Sequence, residues 1–290
     1  MTETDETLSY DPFDEVGPDA PAMTAQETVS DLLGSAKRGY VPLRKVFVQK
    51  ERTEKDRSAK LAELVHGRHH RPLDAFLLIH ALEPVVSNEP LPLRTWARMM
   101  STKTYCSPSA ASKAFDTLVD LNLVTRRQDG QMPVIVPLHE GTGGPWSRPG
   151  EDEKEVGPGY FTLPHAYWTA GFTDRLTIPG KAMLLIVLSE TQSPTKKTFT
   201  MPVSKAQAWY GISERTAERG YRELMNAGVL LTRIQKIPDA RHPAGRREVY
   251  HRALDAPFST FERALLQGQA QAAAQKNVST AATAKLGGSQ

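Results

Sequence analysis

The sequence predicts an α+β fold, mostly helical, in which one plan of three helices and a β-hairpin occurs twice in tandem. A disordered acidic tail precedes it and an Ala/Gln-rich tail follows. Three observations predict this. Ser213 to Gly228 has the spacing of an amphipathic helix, with Ile212, Ala217, Tyr221 and Leu224 on one face. An Asp129-Gly130 turn signal sits between two apolar runs, as in a β-hairpin. Ser107, Ala111, Lys113, Phe115, Leu118, Asn122 and Leu123 match Ser213, Ala217, Arg219, Tyr221, Leu224, Gly228 and Val229, each 106 positions on.

Bulk properties narrow the function classes. A chain of 290 residues suits two small domains with tails. Its single cysteine, Cys106, excludes an internal disulfide framework and a multi-cysteine zinc site. No apolar run approaches the roughly 18 residues of a membrane span, so no membrane partner is expected. The N-terminus lacks a signal peptide's basic and apolar regions, and the expected location is cytoplasmic, at the nucleoid. The net charge of +3 is unevenly spread. Residues 1–36 carry nine acidic groups and no Lys or Arg, which leaves 36 basic against 24 acidic side chains, a net +12, on the rest. A basic body suits a polyanionic partner.

Residues 1–36 read as the disordered acidic tail, and 37–138 as the first domain with an N-terminal extension. Gly39-Tyr40 to Val48 is a short ordered lead-in. Glu54 to Val65 has helical spacing and ends at Gly67. An apolar segment, Leu73 to Leu82, and an amphipathic one, Leu91 to Met100, supply two helices. Ser107-Pro108 opens the third, with Ser as cap and Pro in the first turn. Leu123 to Arg127 and Met132 to Leu138 form the hairpin.

Residues 139–158 are rich in Gly, Pro and acidic side chains and read as a linker. Residues 159–256 repeat the plan. Gly159-Tyr160 to Trp168 echoes the first lead-in, and Lys181 to Leu188 echoes Leu73 to Leu82. Val203 to Tyr210 and Ser213 to Ala227 are the second and third helices, and Val229 to Lys236 with Arg247 to Arg252 form a hairpin with a basic loop. Residues 257–290 read as a C-terminal helix and flexible tail. The capping-box pair Ser259 and Glu262 starts that helix, and Gly268 is a point where it could stop.

The Gly211-Ile212-Ser213 turn, the Thr216, Ala217, Arg219 start of the next helix, and the Leu224…Ala227-Gly228-Val229-Leu230 exit resemble winged helix-turn-helix DNA-binding domains. The resemblance covers about residues 178–254 and, more weakly, 71–138. It implies tandem winged-helix domains and insertion of the Ser213–Ala227 helix into a major groove. There are departures. Gln207 stands four before the turn glycine, where such domains place a small residue, and Tyr105 replaces the glycine in the first copy, within a longer turn.

The residue chemistry fits double-stranded DNA. Arg donates two hydrogen bonds to a guanine edge, and Arg215 and Arg219 lie one helical turn apart. Ser213, Thr216 and Arg222 flank them, and Lys205 precedes the turn. On the hairpin and its loop, Arg233, Arg241, Arg246 and Arg247 would neutralise phosphates. The first copy is milder: Ser109, Ser112 and Lys113 on its third helix, with Arg126 and Arg127 on its hairpin, suit either close approach to DNA or a protein interface.

These residues lead to sequence-specific DNA binding as a bacterial transcription regulator, with no cofactor and no catalysis. Two alternatives stay open: a plasmid or mobile-element replication initiator, and a winged-helix protein scaffold. A homodimer through the first domain or the C-terminal helix is a further expected partner. His66, His69 and His70 lie in a basic stretch, Arg52 to Arg71, that tolerates phosphate, and Gly67 interrupts the helix that a shared metal would need. A phosphate-cradling Gly-rich loop with Lys-Ser/Thr and a Gly-x-Ser-x-Gly elbow are both missing, which argues against those enzyme classes.

Overall fold

The computed structural model describes residues 16–36, 38–51, 54, 57–86, 89–150 and 159–287, with backbone alone from 277 onward. Among these residues the fold is α+β, with eleven α-helices and three small antiparallel sheets. The first half runs α1 (Ala25–Ser35), β1 (Tyr40–Arg44), α2 (Lys60–His66), α3 (His70–Val86), α4 (Leu93–Met99), α5 (Pro108–Asp120) and the hairpin β2 (Val124–Asp129) and β3 (Met132–Pro137). The second runs β4 (Tyr160–Pro164), α6 (Ala166–Thr169), α7 (Phe172–Arg175), α8 (Ile178–Glu190), β5 (Phe199–Thr200), α9 (Ala206–Tyr210), α10 (Glu214–Asn226) and the hairpin β6 (Leu230–Pro238) and β7 (Arg246–Leu254). The chain continues into α11 (Thr260–Gly287).

The 106-residue offset extends to the hydrogen bonds. Ser107 and Ser213 cap α5 and α10 by accepting from the amides of Ala110 and Thr216. Both helices end on a left-handed residue, Asn122 at φ 53° and Gly228 at φ 72°. The next amide then reaches back five residues, from Leu123 to the Leu118 carbonyl at 2.9 Å and from Val229 to the Leu224 carbonyl at 3.1 Å. This is a helix stop that favours Gly and tolerates Asn.

The two halves meet around a local two-fold. β1 and β4 pair antiparallel with Pro42 opposite Thr162. Both are the third residue after Gly39 and Gly159, so equivalent positions face each other. Asp74 on α3 and Lys181 on α8 also stand at equivalent positions, 107 apart, and touch: Lys181 Nζ donates to both Asp74 oxygens at 2.6 and 2.8 Å. His70 Nδ1 lies 3.1 Å from the same carboxylate and the Tyr167 hydroxyl donates to it at 3.5 Å. The helix turns are exchanged in the same sense. The Lys103 amide donates to Asp174 on α7, and Gly211 packs on Ser58 and Ala62 beside α2.

Three expectations are corrected. Residues 25–35, read as disordered, form α1, because Thr24 and Glu27 complete a capping box and Thr28, Val29 and Leu33 are buried. Acidic composition masked a helix that has its own apolar stripe. Residues 1–15 lie outside the described residues. Residues 139–150, read as linker, are packed. Arg44 of β1 donates to the buried Glu140 at 2.9 Å and to the Ser147 carbonyl and hydroxyl at 2.9 Å, and Arg148 pairs with Glu83 at 3.0 Å. A buried carboxylate holds a Gly-rich segment because its charge needs partners that only the fold supplies. Residues 151–158, the rest of that stretch, are outside the described residues.

The third correction concerns α11, which passes Gly268 and runs to Gly287, into the stretch expected as tail. Its Ala and Gln content favours helix, and a single glycine costs only about 1 kcal/mol there. Arg263 anchors it. The guanidinium is buried and donates to the carbonyls of Phe258, Leu188 and Thr191 and to the side chains of Gln192 and Thr191. Burial lowers its pKa to about 10, still charged at neutral pH. No helix among the described residues is long and apolar enough to cross a membrane.

Candidate nucleic-acid interface

α10 presents two opposed faces. Ala217, Gly220, Tyr221 and Leu224 are buried toward α8, while Glu214, Arg215, Glu218, Arg219 and Arg222 face outward. Gly220 is the point of closest approach: a β-carbon there would lie 2.3 Å from the Pro179 carbonyl oxygen and 2.4 Å from Met183 Cγ. Behind the helix, the buried Arg252 sits over the Tyr221 ring, its Cζ 3.8 Å from the ring centroid. Burial, opposed by Arg252, pushes the Tyr221 hydroxyl up to about 12.

The turn before α10 explains the Gln207 departure. Gly211 caps α9 at φ 68° and lies against Ser58, where a side chain would not fit. Ala206 is buried at the contact and Gln207 is exposed, so the small contact residue stands five before the glycine rather than four. In the first copy the turn is longer, from Met100 to Ser107 between α4 and α5. Tyr105 at its tip is 75% exposed, and its carbonyl accepts from Arg71 at 2.9 Å.

The expected reading residues fall into two groups. Arg215 and Arg222 are exposed and make no ion pair among the described residues. Arg219, 62% exposed, is oriented by Glu223: its Nε donates to Oε1 at 3.0 Å, while Glu223 also accepts from the Thr177 amide and hydroxyl at 2.9 and 2.6 Å. Its Nη2 also donates to the Thr177 hydroxyl oxygen at 3.5 Å, so the guanidinium is aligned while the side chain stays largely exposed. Thr216 and Ser213 share a 2.8 Å hydrogen bond within the cap, so their hydroxyls also serve the helix start. Lys205 is exposed beside the turn.

Sequence reading missed the neighbours from the first half. Arg68 and His70 line one groove of about 640 Å³ with Ser213, Arg215, Thr216 and Arg219. Arg68 ends α2 in a left-handed conformation at φ 52°, which turns the chain toward α10. The basic Arg52 to Arg71 stretch was the only signal, and nothing in it named α10 as its neighbour. His70 is engaged by Asp74, and no group of three His, Cys, Asp or Glu among the described residues could hold a metal.

The hairpin β6–β7 is nine residues long on each side and exposed along most of its length. Its register puts Arg233 opposite His251 and Arg247 opposite Ile237, so the two arginines share one face. Arg246 lies on the other face with Lys236, and Arg241 is in the connecting loop. Arg247 approaches Asp239 at 3.7 Å. All four expected hairpin cations are exposed.

The first copy is quieter. Ser109 and Lys113 are exposed on α5. Ser112 is drawn to Arg126 of β2, which donates to its hydroxyl at 2.9 Å and to Asp116 at 2.7 Å. That cation is therefore paired with α5. Arg127 is exposed, beside an apolar groove under β3. Compared with known families, curated proteins and solved structures, the chain matches none.

Proposed function

We propose that the chain binds double-stranded DNA sequence-specifically through α10, with β6–β7 gripping the backbone, as two tandem winged helix-turn-helix domains. The observation that carries this reading is the juxtaposition of Arg215, Arg219 and Arg222 on one outward helix face, Arg68 in the adjoining groove, and a projecting hairpin with four exposed arginines. A helix of 13 residues with such a face has the size and donors to read a major groove. Transcriptional regulation in a bacterium is the role we assign.

Selection of bound fragments from random duplex DNA tests it. Arg215→Ala or Arg219→Ala is expected to cost about 1–3 kcal/mol on the selected site and to relax one base position. Unchanged affinity and preference would remove that residue from the reader. Arg233→Ala or Arg247→Ala is expected to weaken binding to all sequences alike and to lower the salt slope by about 1. A flat salt response across the series overturns DNA reading and favours the scaffold.

One observation favours the replication initiator as second reading. The Arg126–Asp116–Ser112 cluster quiets the first copy's reading helix, which divides the labour between the copies. Mapping the selected sites separates the two: a promoter supports regulation, and an array of repeats beside an AT-rich segment supports initiation.

A further inference from the structure

The groove beside α10 has walls of two kinds. Its rim is cationic: Arg68 and Arg215 are exposed there, and neither makes an ion pair among the described residues. No carboxylate among the described residues lines it. Its floor is apolar, built from Val65 of α2 and from Ile178 and Pro179 in the first turn of α8. A DNA phosphate uses the rim and has no use for that floor. A segment that carries carboxylates beside aromatic rings uses both.

The chain carries such a segment. Residues 1–15 hold six carboxylates and no Lys or Arg, and Tyr10 and Phe13 stand among Asp11, Asp14 and Glu15. Its point of attachment is within reach of the groove. α1 starts beside α6, where Gln26 Nε2 donates to the Thr169 carbonyl at 2.8 Å. Thr177, on the groove wall, follows Thr169 by eight residues and so lies at most about 29 Å from it. Residues 13–24, when extended, span up to about 40 Å. The part of that span in residues 16–24 is exposed and forms no helix or strand.

We propose that residues 1–15 dock in this groove as an acidic ligand carried by the chain itself. Asp11, Asp14 and Glu15 meet Arg68 and Arg215, and Tyr10 and Phe13 cover Val65, Ile178 and Pro179. A tether of this length sets an effective concentration of about 1 mM, so a segment that binds at only about 0.1 mM on its own fills the groove about ten to one. Docking stands on the groove and the acidic segment alone. Its consequence, competition with duplex DNA for α10, rests on the function proposed above.

Photo-crosslinking of the full-length chain, with benzoylphenylalanine in place of Phe13, tests docking without DNA. Irradiation is expected to join position 13 to residues 65–70, 177–179 or 213–219. Combining Asp11→Asn, Asp14→Asn and Glu15→Gln is expected to weaken docking about tenfold, which halves the cross-link yield and raises affinity for duplex DNA about fivefold at low salt. The gain in affinity should shrink as salt rises. Cross-links scattered over other surfaces, no cross-link, or a yield indifferent to the three substitutions overturns docking. If the cross-links form and neither chain binds DNA, docking stands and the DNA reading falls. If both chains bind DNA equally well, competition is overturned.

Discussion

Lys181→Met is expected to cost about 3–5 kcal/mol of folding stability at neutral pH, because it leaves the Asp74 carboxylate buried without its main counter-charge. Burial works against the charge of Asp74, but Lys181 and then His70 override it and hold the carboxyl below its usual range. In the wild type this contribution is present above the ordinary carboxylate pKa and is lost as pH falls through the lowered value. In the variant the burial effect is left to dominate, so the carboxyl rises instead and the folded state holds its proton more tightly than the unfolded state does. Relative to the wild type, the variant should therefore gain stability as pH falls from 7 toward 5, on top of the loss that buried His165 and His80 impose on both. Urea titrations across that range check the sign. The double variant Asp74→Leu with Lys181→Met is expected to recover most of the loss, since an apolar pair of similar volume leaves no charge stranded. A single variant as stable as wild type would show that the pair is spectator charge.

Gly220→Ala is expected to destabilise the fold by about 1–3 kcal/mol or more, as overpacking does when the neighbour cannot move aside. The obstacle is the Pro179 carbonyl oxygen, 2.3 Å from the added carbon and fixed in the first turn of α8. On helix propensity alone the change would stabilise by about 1 kcal/mol, so the sign of the result decides between propensity and packing. Thermal unfolding measures it. Gly268→Ala on α11, with open space around it, is the control and should be neutral or stabilising.

Much of the fold was legible because local chemistry decides it. Ser213, the buried spacing of Ala217, Tyr221 and Leu224, and left-handed Gly228 are all readable within sixteen residues, and the same holds for Ser107 to Asn122. What escaped notice depends on partners far along the chain. Asp74 and Lys181 sit on helices that are buried nearly all round, so each read as a polar residue at the edge of an apolar run. Glu140 and Trp146 looked like linker because Gly and Pro surround them, and only Arg44, 96 residues earlier, reveals why the segment is fixed. At the candidate interface, exposure of the arginines followed from helical period. Their fine alignment did not: the residue that orients Arg219 is Glu223, one turn onward.

The pairing of β1 with β4 around equivalent residues has a consequence for dosage. In an ordinary two-fold regulator the copies must first find one another, so activity rises steeply with protein concentration. Here both copies belong to one polypeptide, and Asp74 against Lys181 makes their junction unlike on its two sides, so one copy cannot stand in for the other. Under the proposed DNA-binding function, occupancy of a site by such a chain should follow a simple hyperbola with a Hill coefficient near 1, down to the lowest copy number in the cell. Each copy is then free to drift toward its own task, because no mutation in one is echoed in the other.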